Sequence, residues 1–512
     1  MNDNKQSSKK VIKVDTRYDE YLTEKLSYDL DKNLDYIKKT MGESMDLIAR
    51  DMIITTKEKK VRIGIAHLNG LSDAKLINDT ILETLPNRLE NASKEDLEPH
   101  KILDYFKYNL ILMSELNEAS DFANLFISLL YGDTILLIEG VNKCLFIGTK
   151  SYKERAIEKP STNITVKGGK DSFTENLATN LALIRRRIRN PNLWIKKYII
   201  GKTSNTLVAL CYLNGVAEKK LIDEVERRIN NIKTDNIIDA SYVMYHLREK
   251  QKTIFPLMVD AERPDLASAS LLEGRVLVLV DGSPFVIVAP SNFLQSLHSP
   301  DDFYMKATLA SFFRIARGIS FFISLFIPAI YLTLEMFHSE LLPIDLLYNI
   351  AGQRIGVPLP AIIELFLLMI AFDLIREAST RMPAAIGPSL SFIGAIIIGE
   401  AAVQAGLVTF VAVIITTITA LGTLAMADFD LSLAVTFLRY ALYIIAAFFG
   451  LLGVVIGALL ILTHLVSLKS FGVPYLTPLS PFKKKALGDS IIRAPIGTVV
   501  DKTPSPIQDL PS

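Results

Sequence analysis

Glu400 and Gln404 stand one helical turn apart in SFIGAIIIGEAAVQAGLVTF, Ser391 to Phe410, a stretch otherwise apolar enough to lie in a bilayer. A carboxylate at mid-bilayer is costly unless it faces water, pairs with a cation or carries a proton. The chemistry open to this pair is cation passage: the carboxylate offsets the lost hydration of a permeating ion, and the amide coordinates water without adding charge. The competing reading puts Glu400 at an interface, with Gly399 to Gly406 ending its helix. The next segment carries Thr409, Ala412, Thr416, Thr419 and Thr423 along one face. Thr416, Thr419 and Thr423 are candidates for the same path, unless each hydroxyl bonds the carbonyl one turn back.

Two small-residue stripes flank these polar positions. Gly387, Ser391, Ala395 and Gly399 recur every four residues, and Ala446, Gly450, Gly453 and Gly457 follow later. Such stripes let helices approach closely, so these are helix-packing candidates. Further upstream, Arg185, Arg186, Arg187 and Arg189 crowd the end of an amphipathic stretch whose apolar face is Leu177, Leu181, Ile184 and Ile188. Ser172 and Glu175 fit a capping box and predict a helix start near Phe173. The arginines are either solvated charges favoured at a helix C-terminus, or ligands for carboxylates of a neighbouring subunit or anionic lipid headgroups.

No Walker loop, GxGxxG turn, GxSxG elbow or HExxH pair occurs, so no catalytic site is expected. Cys144 and Cys211 lie in apolar runs without metal-ligand spacing and read as buried free thiols. No cofactor or metal is expected. A formal net charge of +1 gives no reason to expect a nucleic-acid partner.

The elements that must position these residues divide the 512-residue chain. Its positive mean hydropathy comes from the C-terminal part, which predicts an α/β soluble N-terminal region followed by an all-α multi-pass membrane domain. The N-terminus has no apolar core of a signal peptide, so the soluble region is expected in the cytoplasm. Within it, VRIGIAHLNGLSDAKLINDTIL at Val61 recurs as TLVALCYLNGVAEKKLIDEVER at Thr206, each a strand, an Asn-Gly turn and a helix. GDTILLIEGVNKCLFI at Gly132 recurs as GRVLVLVDGSPFVIV at Gly274, each a hairpin. These matches predict two similar modules, each a mixed sheet covered by helices. The expected divisions are a polar extension (1–46), module 1 (47–150), a helical linker (151–193), module 2 with a connector (194–314), the membrane domain (315–468) and a tail (469–512).

Five apolar segments follow: Ile319 to Leu334, Leu359 to Ile375, Ile386 to Gly406, Leu407 to Ala427, and Tyr440 to Leu465. The second is short and contains Glu364 and Asp373, which suits a re-entrant or interfacial helix as well as a span. Four full spans plus that helix return the basic tail to the cytoplasm, as the distribution of Lys and Arg favours, and place Asp428 and Asp430 outside.

The strings FTENLATNLALIRRRIRNPNLWIKKYIIGKTS, ERPDLASASLLEGRVLVLVDGSPFVIVAPS, GEAAVQAGLV and SLKSFGVPYLTPLSP closely resemble the GerA family of spore germination proteins, in the A subunits of germinant receptors, over about Leu47 to Pro481. The resemblance implies the inner membrane of an endospore and a receptor shared with a transporter-like B subunit and a lipoprotein C subunit. It implies a homo-oligomer, a pentamer, forming a channel that releases monovalent cations. The alternative is a non-conducting scaffold or signal-transducing subunit of that receptor, or of the related dipicolinic acid channel complex. A secondary transporter ranks third, because no paired inverted repeat is visible.

Overall fold

The structure is a computed structural model that describes residues 24–90, 92–93, 95–111, 113, 115–151, 167–249, 251–381, 397–482 and 489–493. Two five-stranded sheets come first. In one, β1 (Leu47–Thr55), β2 (Lys60–Leu68), β3 (Leu116–Ala119), β4 (Thr134–Ile138) and β5 (Cys144–Ile147) lie in the order β1-β2-β4-β5-β3. In the other, β6 (Leu193–Ile200), β7 (Thr206–Leu213), β8 (Val259–Ala261), β9 (Val276–Val280) and β10 (Val286–Ala289) take the order β6-β7-β9-β10-β8. β2 and β7 end at Leu68 and Leu213, and the following Gly70 and Gly215 turn the chain with φ of 87° and 81°, where a side chain would be strained.

Every strand pairing in both sheets is antiparallel, not mixed as the strand–turn–helix order suggests. The route explains this. After β2 the chain runs through helical segments to the far edge strand β3, and only then through a helix to β4, so β4 returns beside β2 in the opposite direction. The second sheet follows the same path through β8.

Helices cover both faces of each sheet. On the first sheet, α1 (Leu30–Thr40) and α2 (Phe122–Leu130) bury Leu34, Ile37, Phe126 and Leu129 on one side, and segments between Ala74 and Leu110 bury Ile81, Leu85 and Phe106 on the other. On the second, α3 (Leu177–Arg187) shares one face with a helix over Pro264–Leu272. The opposite face carries α4 (Lys219–Asn230) and α5 (Ala240–Leu247). With both faces covered, β4 and β9 are buried at every position, which accounts for their unbroken apolar runs.

α3 begins later than the capping-box reading expects. Asn176 accepts from Thr179 N at 2.9 Å as the cap, while Thr174 N donates to Asn180 Oδ1 at 2.8 Å. The Asn180 amide thus holds the preceding residues in a loop, and Asn176 supplies a cap as effective as Ser172. The two sheet units also join: Met45 N donates to Ile195 O at 3.0 Å through backbone, and the Trp194 indole Nε1 donates to Thr40 O at 3.1 Å.

The helical half contains α6 (Ala307–Met336), α7 (Ile344–Arg354), α8 (Ala361–Thr380), α9 (Phe410–Leu424) and α10 (Phe429–Ser467). Among the described residues, α6 and α10 are the two helices long and apolar enough to cross a membrane. α10 is not one rod. Gly450, at φ 60° and ψ −145°, lies outside helical geometry, and the chain doubles back there. A Cβ on Gly457 would sit 2.4 Å from Leu442 Cδ1, and one on Gly453 2.7 Å from Ile445 O. In a straight helix Leu442 and Gly457 would be about 22 Å apart.

Both open ends of this hairpin reach the α/β half. His464 Nε2 lies 3.1 Å from Thr253 Oγ1, and Phe471 N donates to Glu249 Oε1 at 2.8 Å. Phe255, Leu257 and Leu294 share one core with Leu431, Val435 and Leu465. Asp428 and Asp430 therefore stand at the same end as residue 469, correcting the expectation that they occupy the opposite end. The segment from Tyr440 to Leu465 reads as one helix because its reversal is marked only by a glycine, without proline or charge.

The second apolar segment forms a helix longer than its apolar run. α8 has 20 residues, about 30 Å of helix, and packs against α6 and α9. Its carboxylates suggest an exposed helix only while their partners, supplied by other helices, are unknown.

Candidate functional site in the helical half

Glu400 lies in a π-helical turn, Ile397–Ala401, that leads into a short α-helix over Ala402–Gln404. Its side chain is exposed, and Gln404 Nε2 donates to Glu400 Oε1 at 3.1 Å. Among the described residues no cation pairs with it. Gly387, Ser391 and Ala395 lie outside the described residues. Gly399 is in ordinary contact: a Cβ there would approach Val413 Cγ1 at 3.5 Å.

The threonine face points elsewhere. Thr416, Thr419 and Thr423 are buried, and each donates one turn back, to Ala412 O at 2.7 Å, Ile415 O at 2.7 Å and Thr419 O at 3.0 Å. Thr423 also meets Ser324 on α6 and Arg439 on α10. These three threonines fill the inside of the chain's own helical bundle, which corrects their assignment to an ion path. Gly450, Gly453 and Gly457 serve the turn and close approach of the α10 hairpin within one chain.

The arginine cluster is divided by its surroundings. Arg185 is fully buried and holds Asp46 with two hydrogen bonds, Nε to Oδ2 at 2.8 Å and Nη2 to Oδ1 at 3.0 Å. A residue so enclosed cannot meet lipid or another subunit, so this assignment is corrected. Arg187 donates to both oxygens of Asp171 at 2.7 and 2.6 Å. Arg189 stacks over Tyr131 at 4.0 Å from the ring centroid, and Arg186 is part-buried.

Two ionic groups inside the bundle escape sequence reasoning. In the first, Asp373 on α8 accepts from Arg439 Nη2 and Tyr440 Oη, both at 2.6 Å, with Arg376 at 3.7 Å. In the second, Arg354 at the end of α7 bridges Glu335 on α6 and Glu364 on α8, the latter at 3.2 Å. Glu364 Oε1 also accepts from Thr409 N and Oγ1 at 2.6 and 2.8 Å, which caps the start of α9. Removing either partner of such a buried pair leaves an uncompensated charge, so these groups fix how the helices meet. Only their placement in apolar segments could have signalled them, since each partner lies on a different helix.

The sequence matches, over residues 35–505, the family described as Bacillus/Clostridium GerA spore germination protein. It is 37% identical over 470 residues to spore germination protein KA of Bacillus subtilis (strain 168), covering 92% of this chain and 85% of that protein. Spore germination protein A1 of the same organism is 38% identical over 369 residues, covering 72% and 77% respectively. Among solved structures, the N-terminal domain of the A subunit of the Bacillus megaterium spore germinant receptor GerK3 is 32% identical, with a TM-score of 0.43, and covers 53% of this chain and 98% of that one. A family match running through both the α/β and the helical half means that this chain belongs to the GerA family of spore germination proteins.

Proposed function

We propose that the chain is the A subunit of a spore germinant receptor, a multi-pass protein of the spore inner membrane that conducts monovalent cations as a homo-oligomer. Its α/β half, two copies of one module, faces the cytoplasm. A transporter-like B subunit and a lipoprotein C subunit complete the receptor, and a pentamer is the expected assembly.

Five passes are drawn from described helices, α6, α8, α9 and the two arms of α10, and the apolar sequence segment from Ile386 to Gly406, most of which lies outside the described residues, is counted as a sixth on its composition alone. The Gly450 reversal supplies the pass that makes the number even. The basic tail then lies on the same side as the α/β half, as the distribution of Lys and Arg requires. α7, between α6 and α8, exposes Ile344, Leu346 and Tyr348 and suits the opposite membrane interface.

The observation that carries the conducting reading is the contrast among carboxylates. Asp373, Glu335 and Glu364 are each held by arginine inside the bundle, whereas Glu400 points outward with Gln404 beside it. A carboxylate on the outer face of an apolar bundle requires water, and a closed ring of subunits provides it along the axis. In spores, Glu400→Gln should accumulate and assemble normally but slow potassium release after nutrient addition. Normal release from a normally assembled variant removes Glu400 from the path. The second reading, a non-conducting scaffold of this receptor or of the related dipicolinic acid channel complex, predicts no potassium flux through purified oligomers in liposomes.

A further inference from the structure

We propose that Glu335 and Tyr331, with the charge of Glu364 beside them, form a binding site for one monovalent metal cation, at the end of the bundle away from the α/β half. The site goes beyond the proposed conducting path and does not include Glu400.

Charge is the first ground. The Glu335 and Glu364 side chains are 7% and 1% exposed, and they share one cation, Arg354. Two buried carboxylates against one guanidinium leave an excess of one negative charge in a region of low dielectric, where an uncompensated ion is costly.

Unmet coordination is the second. Glu364 is satisfied: Oε1 accepts twice from Thr409 and Oε2 faces Arg354. Glu335 is not. Its Oε1 meets Arg354 Nε, but its Oε2 is buried and has no hydrogen-bond partner among the described residues. The Tyr331 hydroxyl, one turn earlier on α6, is also buried; it lies beside Glu335 without a well-aligned hydrogen bond among the described residues, and Glu364 and Arg354 are its other charged neighbours. Gln353, next to Arg354 in the chain, has a buried Oε1 that is unpaired among the described residues. Oxygen donors of this kind suit a hard cation, and a single positive charge matches the excess. The nearby Tyr443 is not free to contribute, because its hydroxyl donates to Ile362 O at 2.8 Å.

The test is thermal unfolding of the purified full chain in detergent, in sodium, potassium or choline chloride at equal concentration and pH. Choline holds ionic strength constant but is too large to enter. A bound cation should raise the Tm in sodium or potassium over choline by about 2–4 °C at saturating salt. Glu335→Gln should abolish that difference, and Tyr331→Phe, which removes only a hydroxyl, should reduce it. Equal Tm in all three salts would overturn the site, as would a difference surviving in Glu335→Gln. A wild-type Tm that follows pH but not the cation would mean that a proton neutralises Glu335, and would also overturn it. Should Glu335→Gln fail to fold, thallous-ion binding by the wild type and Tyr331→Phe decides: no bound ion, or equal binding by both, rejects the site. None of these readouts needs conduction, so failure here leaves the Glu400 reading intact, and the reverse.

Discussion

Gly457 lies against Leu442 on the facing arm of its own hairpin, so closely that a Cβ would come within 2.4 Å of Leu442 Cδ1. The contact exists only because the chain reverses at Gly450. That reversal places residues 428 and 469 at the same end of the bundle and Phe337 against Gly450 at the other. The membrane topology proposed for the C-terminal half rests on this one turn.

A labelling experiment checks it directly. Cysteines substituted for Asp430 and Ser467 should react with a membrane-impermeant maleimide only from the side that holds the α/β half, and one at Phe449 only from the other. The native Cys144 and Cys211 are buried and add little background. Gly450→Ala should cost about 1–3 kcal/mol, since φ 60° with ψ −145° is a region essentially restricted to glycine. Opposite-side labelling of positions 430 and 467 would mean that α10 crosses as a single rod.

Arg185 and Asp46 give the second prediction. Their side chains are 0% and 3% exposed, and together they tie α3 to the segment entering β1. Arg185→Gln should destabilise the α/β half by about 3–5 kcal/mol, because the Asp46 carboxylate stays buried without its cation. Arg186→Gln and Arg189→Gln should each change stability by less than about 1 kcal/mol. Denaturant unfolding of the three variants distinguishes these effects. Equal losses would return the cluster to a common role at the surface.

Local chemistry made much of the α/β half legible. Leu68 and Leu213 end strands because an Asn-Gly pair turns the chain at once, and the Gly140 and Gly282 turns close two short hairpins for a similar reason. Sheet direction was less accessible, since it depends on the detour through an edge strand. The ionic groups of the bundle were hidden for a different reason. Asp373 and Arg439 are 66 residues apart, and no local pattern matches a carboxylate on one helix with a guanidinium on another. Glu364 and Asp373 therefore read as evidence against a buried helix, when buried cations and a capping threonine explain them. The threonine face was visible as a stripe, but whether it turned inward depended on the position of α6.

The third prediction concerns acid sensitivity at the base of α6. His298 is partly buried there, and its Nε2 donates to Ser490 O at 2.6 Å, since a carbonyl only accepts. Asp489 is held nearby by Arg314, whose Nη1 donates to its backbone oxygen at 2.7 Å, and Arg493 N donates to Ser311 Oγ at 2.9 Å. Residues 489–493 thus clasp the start of α6. Burial first, and then the Arg314 guanidinium, push the His298 pKa down to about 3, partly opposed by the Ser490 carbonyl. The folded value lies below the unfolded value of about 6.5, so the unfolded chain binds the proton more readily. The stability that neutral His298 contributes is complete above pH 6.5 and is lost as pH falls from there toward 3. At pH 5 the loss should be about 2 kcal/mol. His298→Gln keeps a donor for the Ser490 carbonyl but cannot titrate. Thermal unfolding at pH 7 and pH 5 should therefore show a larger acid-induced fall in Tm for the wild type than for the variant. Matching falls would mean that His298 accepts its proton while folded, and that the clasp tolerates a charged imidazole facing Arg314.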